Sequence, residues 1–84
     1  MFLHIGGDFS VRFADIISIH DYDSMRKSEE GNAFLSKRKK DLKDFSGGRP
    51  KSAVVTDRSI YLSALSPNTL KRRAEYGFSF GTEV

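Results

Sequence analysis

The stretch from Lys51 to Leu65 constrains the chain most, because two β-rich runs flank a polar turn and a helix start follows at once. Val54, Val55 and Thr56 on one side, with Ile60, Tyr61 and Leu62 on the other, are the β-branched and aromatic types that suit a pleated surface. Asp57-Arg58-Ser59 supplies the turn. It lacks the Asn-Gly signal of a two-residue hairpin, so it predicts a three-residue loop with one residue in the left-handed region. Ser66-Pro67 then opens a helix, since a serine oxygen can accept from an orphan amide and proline is pre-set for the first helical position. Leu70 and Ala74, at i and i+4, face inward; Lys71, Arg72 and Arg73 are left for solvent or a polyanion.

Upstream, Leu3 and Ile5 alternate with Phe2 and His4, Gly6-Gly7-Asp8 breaks the run, and Phe9, Val11 and Phe13 alternate with Ser10 and Arg12. This reads as strand, turn and strand, with Arg12 pointing away from the apolar face. A third β-rich run, Asp15 to His20, puts Ile17 and Ile19 on one face and Ile16, Ser18 and His20 on the other. Helix-compatible sequence extends from about Met25 to Lys40, with Asp23 or Ser24 as the N-cap. At 100° per residue Gly31, Phe34, Leu35 and Leu42 share an arc with Arg38, while Lys37, Lys39, Lys40 and Lys43 lie elsewhere. Gly31 on that arc either allows close approach to the sheet or marks a helix that starts only near Asn32. Leu42 to Phe45 reads either as a short strand or as the end of the helix. Ser46-Gly47-Gly48-Arg49-Pro50 is a loop, its proline biasing Arg49 towards extended geometry. Residues 76–84 read as an aromatic, glycine-punctuated tail, too apolar to be a solvating one, and are expected to pack on the body or on a neighbour.

Eighty-four residues make a single domain, 1–84, that buries only about 60% of the surface its unfolded chain exposes, so self-association would help it. No cysteine is present, which removes disulfides and thiolate metal sites and agrees with a reducing cytoplasm. No apolar run suggests a signal peptide or a membrane span, so a soluble cytoplasmic protein is expected. Charge is uneven: residues 1–30 hold three basic and six acidic groups, and residues 31–84 hold eleven and five. Asymmetry of this kind points to a polyanion-binding face or to a head-to-tail interface between acidic and basic surfaces.

Lys37 to Lys51, with seven basic and two acidic residues ending in a glycine-rich loop, carries the strongest functional signal. Lysine and arginine near phosphates release counterions, and glycine lets loop amides approach a phosphate closely. The same segment also reads as a solvated basic face. Arg49 is the best single candidate contact, with a planar fork on a loop stiffened by Pro50. Arg38, among apolar residues on the helical wheel, either snorkels or pairs with an acidic group of a neighbouring subunit. His4 and His20 read as half-buried strand histidines with no metal-ligand spacing to the aspartates between them. No nucleophile elbow, Walker loop or dinucleotide loop is present, so no enzyme, cofactor or small-molecule substrate is expected.

Taken in order, Phe2-Leu3-His4-Ile5-Gly6-Gly7, Ile16-Ile17-Ser18-Ile19, Pro50 to Asp57, Tyr61-Leu62-Ser63 and Thr69 to Arg73 resemble the small bacterial extracellular matrix regulatory proteins of the RemA/RemB type. The resemblance spans residues 1 to about 74, and the Lys51-Ser52 and Tyr61-Leu62-Ser63 blocks look more like the B branch. It implies a transcriptional regulator of biofilm matrix genes that binds double-stranded DNA, in a family whose A-type members form closed rings and bend DNA around them. The A branch associates DNA contact with an arginine before the Ile-Ser-Ile strand and an arginine pair after the central loop glycine. Here those positions hold Asp15, Arg49 and Pro50, with Lys51 next, and Arg12 lies near enough to replace the charge missing at Asp15.

The fold expected is α+β: a small antiparallel sheet of the early strands and the 53-to-64 hairpin, with one longer and one short helix, assembled into a ring-like homo-oligomer. The DNA-binding residues expected are Arg49, Lys51, Arg12, Lys71, Arg72 and Arg73, with Arg38 at the subunit interface. The alternative function is a homo-oligomeric interaction module whose acidic and basic faces join, with weak DNA binding or none.

Overall fold

The computed structural model describes residues 1–74. Its centre is strand β5, Ser52–Thr56, in which all five residues are buried. A strand covered on both faces reads as a continuous apolar run, which accounts for Ala53-Val54-Val55. Around it lies a four-stranded sheet of order β3-β5-β6-β4, where β3 is Ile16–Asp21, β6 is Ile60–Ser63 and β4 is Leu42–Asp44. The sheet is mixed, not wholly antiparallel: β3 and β6 pair antiparallel with β5, but β4 runs parallel to β6. The early strands β1, Phe2–Gly6, and β2, Phe9–Arg12, form a separate antiparallel ribbon instead of extending the main sheet.

The ribbon and helix α3, residues 67–74, cover one face of the sheet, with Leu3, Ile5, Val11, Val54 and Leu70 as the buried cluster. Full burial of Leu70 contributes about 2 kcal/mol. On the other face Leu35, Ala53, Ile60 and Leu62 pack with Tyr22, Met25, Phe34 and Leu42. Two buried serines tie the layers together. Ser63 Oγ donates to the Ile5 carbonyl and accepts from Leu65 N–H, and Ser52 Oγ donates to the Leu65 carbonyl at 2.8 Å.

The hairpin and the α3 start follow the sequence reading. Ser66 Oγ accepts from Thr69 N–H at 3.1 Å, Leu70 is fully buried and Ala74 packs on the same cluster. The turn differs: among the described residues no non-glycine residue has positive φ. Thr56 closes the loop by its side chain, with Oγ1 accepting from Ser59 N–H and donating to the Ser59 carbonyl.

Other expectations are corrected. A bulge between Ile16 and Ser18 shifts the phase of β3, so Ile16 and Ile19 face the core and Ile17 stands 67% exposed. Phe13 leaves the strand for a 3-10 turn, Phe13–Asp15. The single long helix is two helices, α1, Tyr22–Lys27, and α2, Glu29–Lys37, and α1 is capped by Asp21 instead of Asp23 or Ser24. Ser28 breaks them apart with extended backbone. It closes α1 through its N–H and opens α2 through its side chain, which accepts from Gly31 N–H at 2.9 Å. Acidic Glu29 and Glu30 suit that new N-terminus. Gly31 does permit a close approach, but to α1: a β-carbon there would lie 2.1 Å from the Met25 carbonyl oxygen. Leu42 to Asp44 is a strand, and both histidines are exposed. The aromatic tail, 76–84, lies outside the described residues.

Candidate nucleic-acid interface

The basic segment Lys37 to Lys51 folds as the last residue of α2, a 3-10 turn over Lys39–Asp41, the edge strand β4 and the loop that returns to β5. Six of its seven cations, Lys37, Lys39, Lys40, Lys43, Arg49 and Lys51, are exposed. Arg38 is the exception. Its Nε donates to Asp41 Oδ2, its Nη1 to the Thr56 carbonyl and its Nη2 to the Asp57 carbonyl, each at 3.1 Å, and it sits 5.5 Å from the Phe34 ring centre. The side chain expected to reach a neighbouring subunit thus fastens α2 to the β5–β6 turn of its own chain, and Asp41 is held by the same guanidinium.

The loop that presents Arg49 is fixed at both ends. On one side Asp44 Oδ1 accepts from Ser46 N–H at 2.8 Å and from the Ser46 hydroxyl. These bonds, with a further one from the Gly48 amide, hold the Asp44 carboxyl below its ordinary range against a small desolvation effect. Gly47 and Gly48 follow at φ +71° and +88°, a left-handed pair that side chains disfavour. On the other side Lys51 N–H donates to the Ser63 carbonyl at 2.8 Å and its carbonyl accepts from Tyr22 N–H at 3.0 Å. Arg49 therefore projects from a short, anchored arch.

An aromatic cluster that the sequence reading missed supports the root of this arch. Phe45 stacks on Phe9 with centroids 4.2 Å apart and planes 3° from parallel; Tyr61 tilts against Phe9, and Lys43 Nζ lies 5.9 Å from the Tyr61 ring centre. Phe9 opens β2 of the ribbon and Phe45 follows β4 of the main sheet, so the contact appears only once the two layers are packed together.

Of the other expected contacts, Arg12 does not join this group. Its Nε and Nη2 donate to the two Asp15 oxygens at 3.1 and 3.2 Å, and it lines a small polar cavity with Thr56, Asp57 and Arg58. Those residues form the turn end of the sheet, whereas Lys51 sits just before the opposite end of β5, about 17 Å away along the strand. Lys71, Arg72 and Arg73 are exposed on α3, in the ribbon layer, and Arg73 Nη1 donates to the His4 carbonyl at 3.3 Å. No metal-binding cluster of His, Cys, Asp or Glu occurs among the described residues, and no described helix is long and apolar enough to cross a membrane.

Sheet order converts the uneven charge of the sequence into an uneven molecule. Lys43 lies on the β4 edge, with Lys39 and Lys40 just before the strand and Arg49 in the loop after it. The β3 edge begins beside Asp15, paired with Arg12, and runs through Asp21 into α1 and α2, where Asp23, Glu29 and Glu30 are exposed with Arg26 and Lys27 among them. Asp23 is held below the ordinary carboxylate range by hydrogen bonds from Lys27 and Arg26.

Residues 2–74, the whole of this fold, match the model of the RemA-like family, described as extracellular matrix regulatory protein A-like. The chain belongs to the RemA-like family. It is also similar to the extracellular matrix regulatory protein B of Bacillus subtilis (strain 168), with 42% identity over 78 residues that cover 93% of this chain and 95% of that one. This similarity agrees with the B-branch character of the Lys51-Ser52 and Tyr61-Leu62-Ser63 blocks. The family places the chain among bacterial extracellular matrix regulators, and its match ends at Arg73-Ala74, before the aromatic tail.

Proposed function

We propose that this RemA-like protein regulates matrix genes by binding double-stranded DNA in the bacterial cytoplasm, as a homo-oligomer, with Arg49 and Lys51 as contacts and the lysines along the β4 edge beside them. The observation that carries the reading is the set of six exposed cations strung from the end of α2 through the 3-10 turn and β4 to the loop before β5, against the exposed Asp44 and an Asp41 already paired with Arg38. Phosphate neutralisation needs such a row more than any single residue, and an oligomer multiplies each contact. Lys71, Arg72 and Arg73 on α3 belong to a second surface that would engage a bent or wrapped duplex. A small domain gains from burying surface against copies of itself, and head-to-tail contacts that spare the β4 edge close into rings when the rotation permits.

The acidic groups near β3 and the basic groups near β4 favour a second reading, in which those two surfaces meet each other between subunits and leave little charge for DNA. Anisotropy of a labelled random duplex at two salt concentrations tests the choice. Binding that weakens steeply with salt supports the first reading; no binding at low salt, in a protein that sediments as an oligomer, supports the second.

A further inference from the structure

The β3 strand is an open edge of the main sheet. Within the described residues β3 pairs only with β5, so its outer backbone groups face away from the sheet. The bulge turns Ile17 outward, 67% exposed. Next to it, between β3 and the two helices, runs an apolar groove of about 740 Å³ walled by Met25 and Phe34 with Val55 at its base. That volume lies within the range of about 300–1,000 Å³ that accommodates a drug-sized ligand, enough for aromatic side chains. An open apolar edge is a template for another strand, and proteins normally blunt it with lysine, as β4 does with Lys43. On β3 the neighbours of Ile17 are Ile16 and Ser18, and the charged Asp21 stands only at the far end of the strand.

The chain carries a segment suited to such a site. Beyond the described fold stand Tyr76-Gly77-Phe78-Ser79-Phe80, three aromatics at a spacing of two with only glycine and serine between them. In extended backbone that spacing puts all three rings on one face and leaves the other face small. Location argues for a neighbour's groove over the chain's own. Ala74, the last described residue, packs with Leu3, Ile5 and Leu70 on the ribbon face of the sheet, whereas the groove opens on the α1–α2 face with Phe34 and Val55.

We propose that residues 76–80 of one copy add as a strand to the β3 edge of the next, seating aromatic rings in the groove walled by Met25 and Phe34. Main-chain hydrogen bonds would supply affinity and the ring pockets specificity, as in other strand additions. The contact is heterologous, so it propagates around a ring, and it leaves the β4 edge with Lys43 uncovered. The inference rests on the assembly half of the preceding function and not on its DNA half.

The test uses two full-length variants, Phe78→Ser/Phe80→Ser in the tail and Ile17→Glu on the edge, with folding checked by circular dichroism. In sedimentation each alone is expected to fall to monomer. Mixed, they should form a one-to-one heterodimer, because the edge variant keeps its tail and the tail variant keeps its groove. Ser24→Arg, at an exposed residue that lines the groove, replaces Ile17→Glu if the latter fails to fold. A labelled peptide of residues 75–84 should bind the tail variant, at least about tenfold more tightly than the same peptide with Phe78→Ala. An unchanged mass in both variants, or no peptide binding, overturns the proposal. Monomers that do not pair on mixing also overturn it, by indicating that each tail folds onto its own chain. A monomeric parent protein would remove the assembly reading itself, whereas DNA anisotropy on the same variants reports the DNA reading separately.

Discussion

Arg38 donates to the Thr56 carbonyl at 3.1 Å, so the basic side chain that caps the end of α2 ties that helix to the β5–β6 turn. With Asp41 and the Asp57 carbonyl it forms a three-pronged contact, and the side chain is only 21% exposed. Arg38→Met keeps the packing on Phe34 but removes every donor. It should cost about 2 kcal/mol in denaturant melts, because bonds to a charged group outweigh neutral ones and part of this site is wet. Arg38→Lys should recover less than half, since an ammonium cannot reproduce the planar fork. A melt within 0.5 kcal/mol of the parent for Arg38→Met would refute the contact.

Gly31 gives a prediction whose sign depends on the corner between α1 and α2. Helix propensity alone favours Gly31→Ala by about 1 kcal/mol. Against it, the added methyl would sit 2.1 Å from the Met25 carbonyl oxygen and 2.6 Å from Ser28 Oγ, and a backbone carbonyl cannot move without opening the corner. We expect net destabilisation of about 1–3 kcal/mol. A variant more stable than the parent would mean that one continuous helix replaces the corner.

Much of this was legible. The hairpin, the Ser66 cap and the inward Leu70 and Ala74 follow from local rules, because turn chemistry, capping and periodicity act within a few residues. Ser28 ahead of Glu29 and Glu30 carried a helix-start signal of the same local kind, but the helical pattern on either side hides it. The bulge at Ile17 is harder to foresee, since a one-residue slip exchanges faces and leaves composition unchanged. The parallel pairing of β4 with β6 joins segments far apart in sequence, and neither strand's residues specify it. At the site, Arg49 on its loop was readable from glycine and proline. The bonding of Arg12 by Asp15 depends on the 3-10 turn at Phe13–Asp15, which replaces the strand that alternation implied.

The loop should report its own pH dependence. Hydrogen bonds from Ser46, and then Gly48, lower the Asp44 pKa from the ordinary value of 3.8. A depressed folded-state pKa means that the contribution is fully present above the unfolded value and disappears as pH falls through the folded one. Amide shifts of Ser46 and Gly48 in a nitrogen–proton spectrum should therefore titrate together with a midpoint below 3.8. Asp44→Asn should abolish that titration. A midpoint at or above the ordinary value would show that the carboxylate does not hold the arch.

The last prediction separates the loop from α3 as the DNA surface. Arg49 stands on an arch anchored by Asp44 and by the two backbone bonds of Lys51, so replacing it removes one charge with little effect on the fold. If it neutralises a phosphate, log K should fall with log salt at a slope of about −0.9 per contact, and Arg49→Ala should flatten that slope by about 0.9 for every subunit on the duplex. The loss should be similar on unrelated sequences if the contact is to phosphate alone, and confined to one class if the guanidinium reads a groove. Arg12→Ala should leave the slope unchanged, because Asp15 already occupies that guanidinium. Should Arg49→Ala bind like the parent while Lys71→Ala and Arg72→Ala lose affinity, the duplex runs along α3 in the ribbon layer and the β4 edge is a solvated edge only.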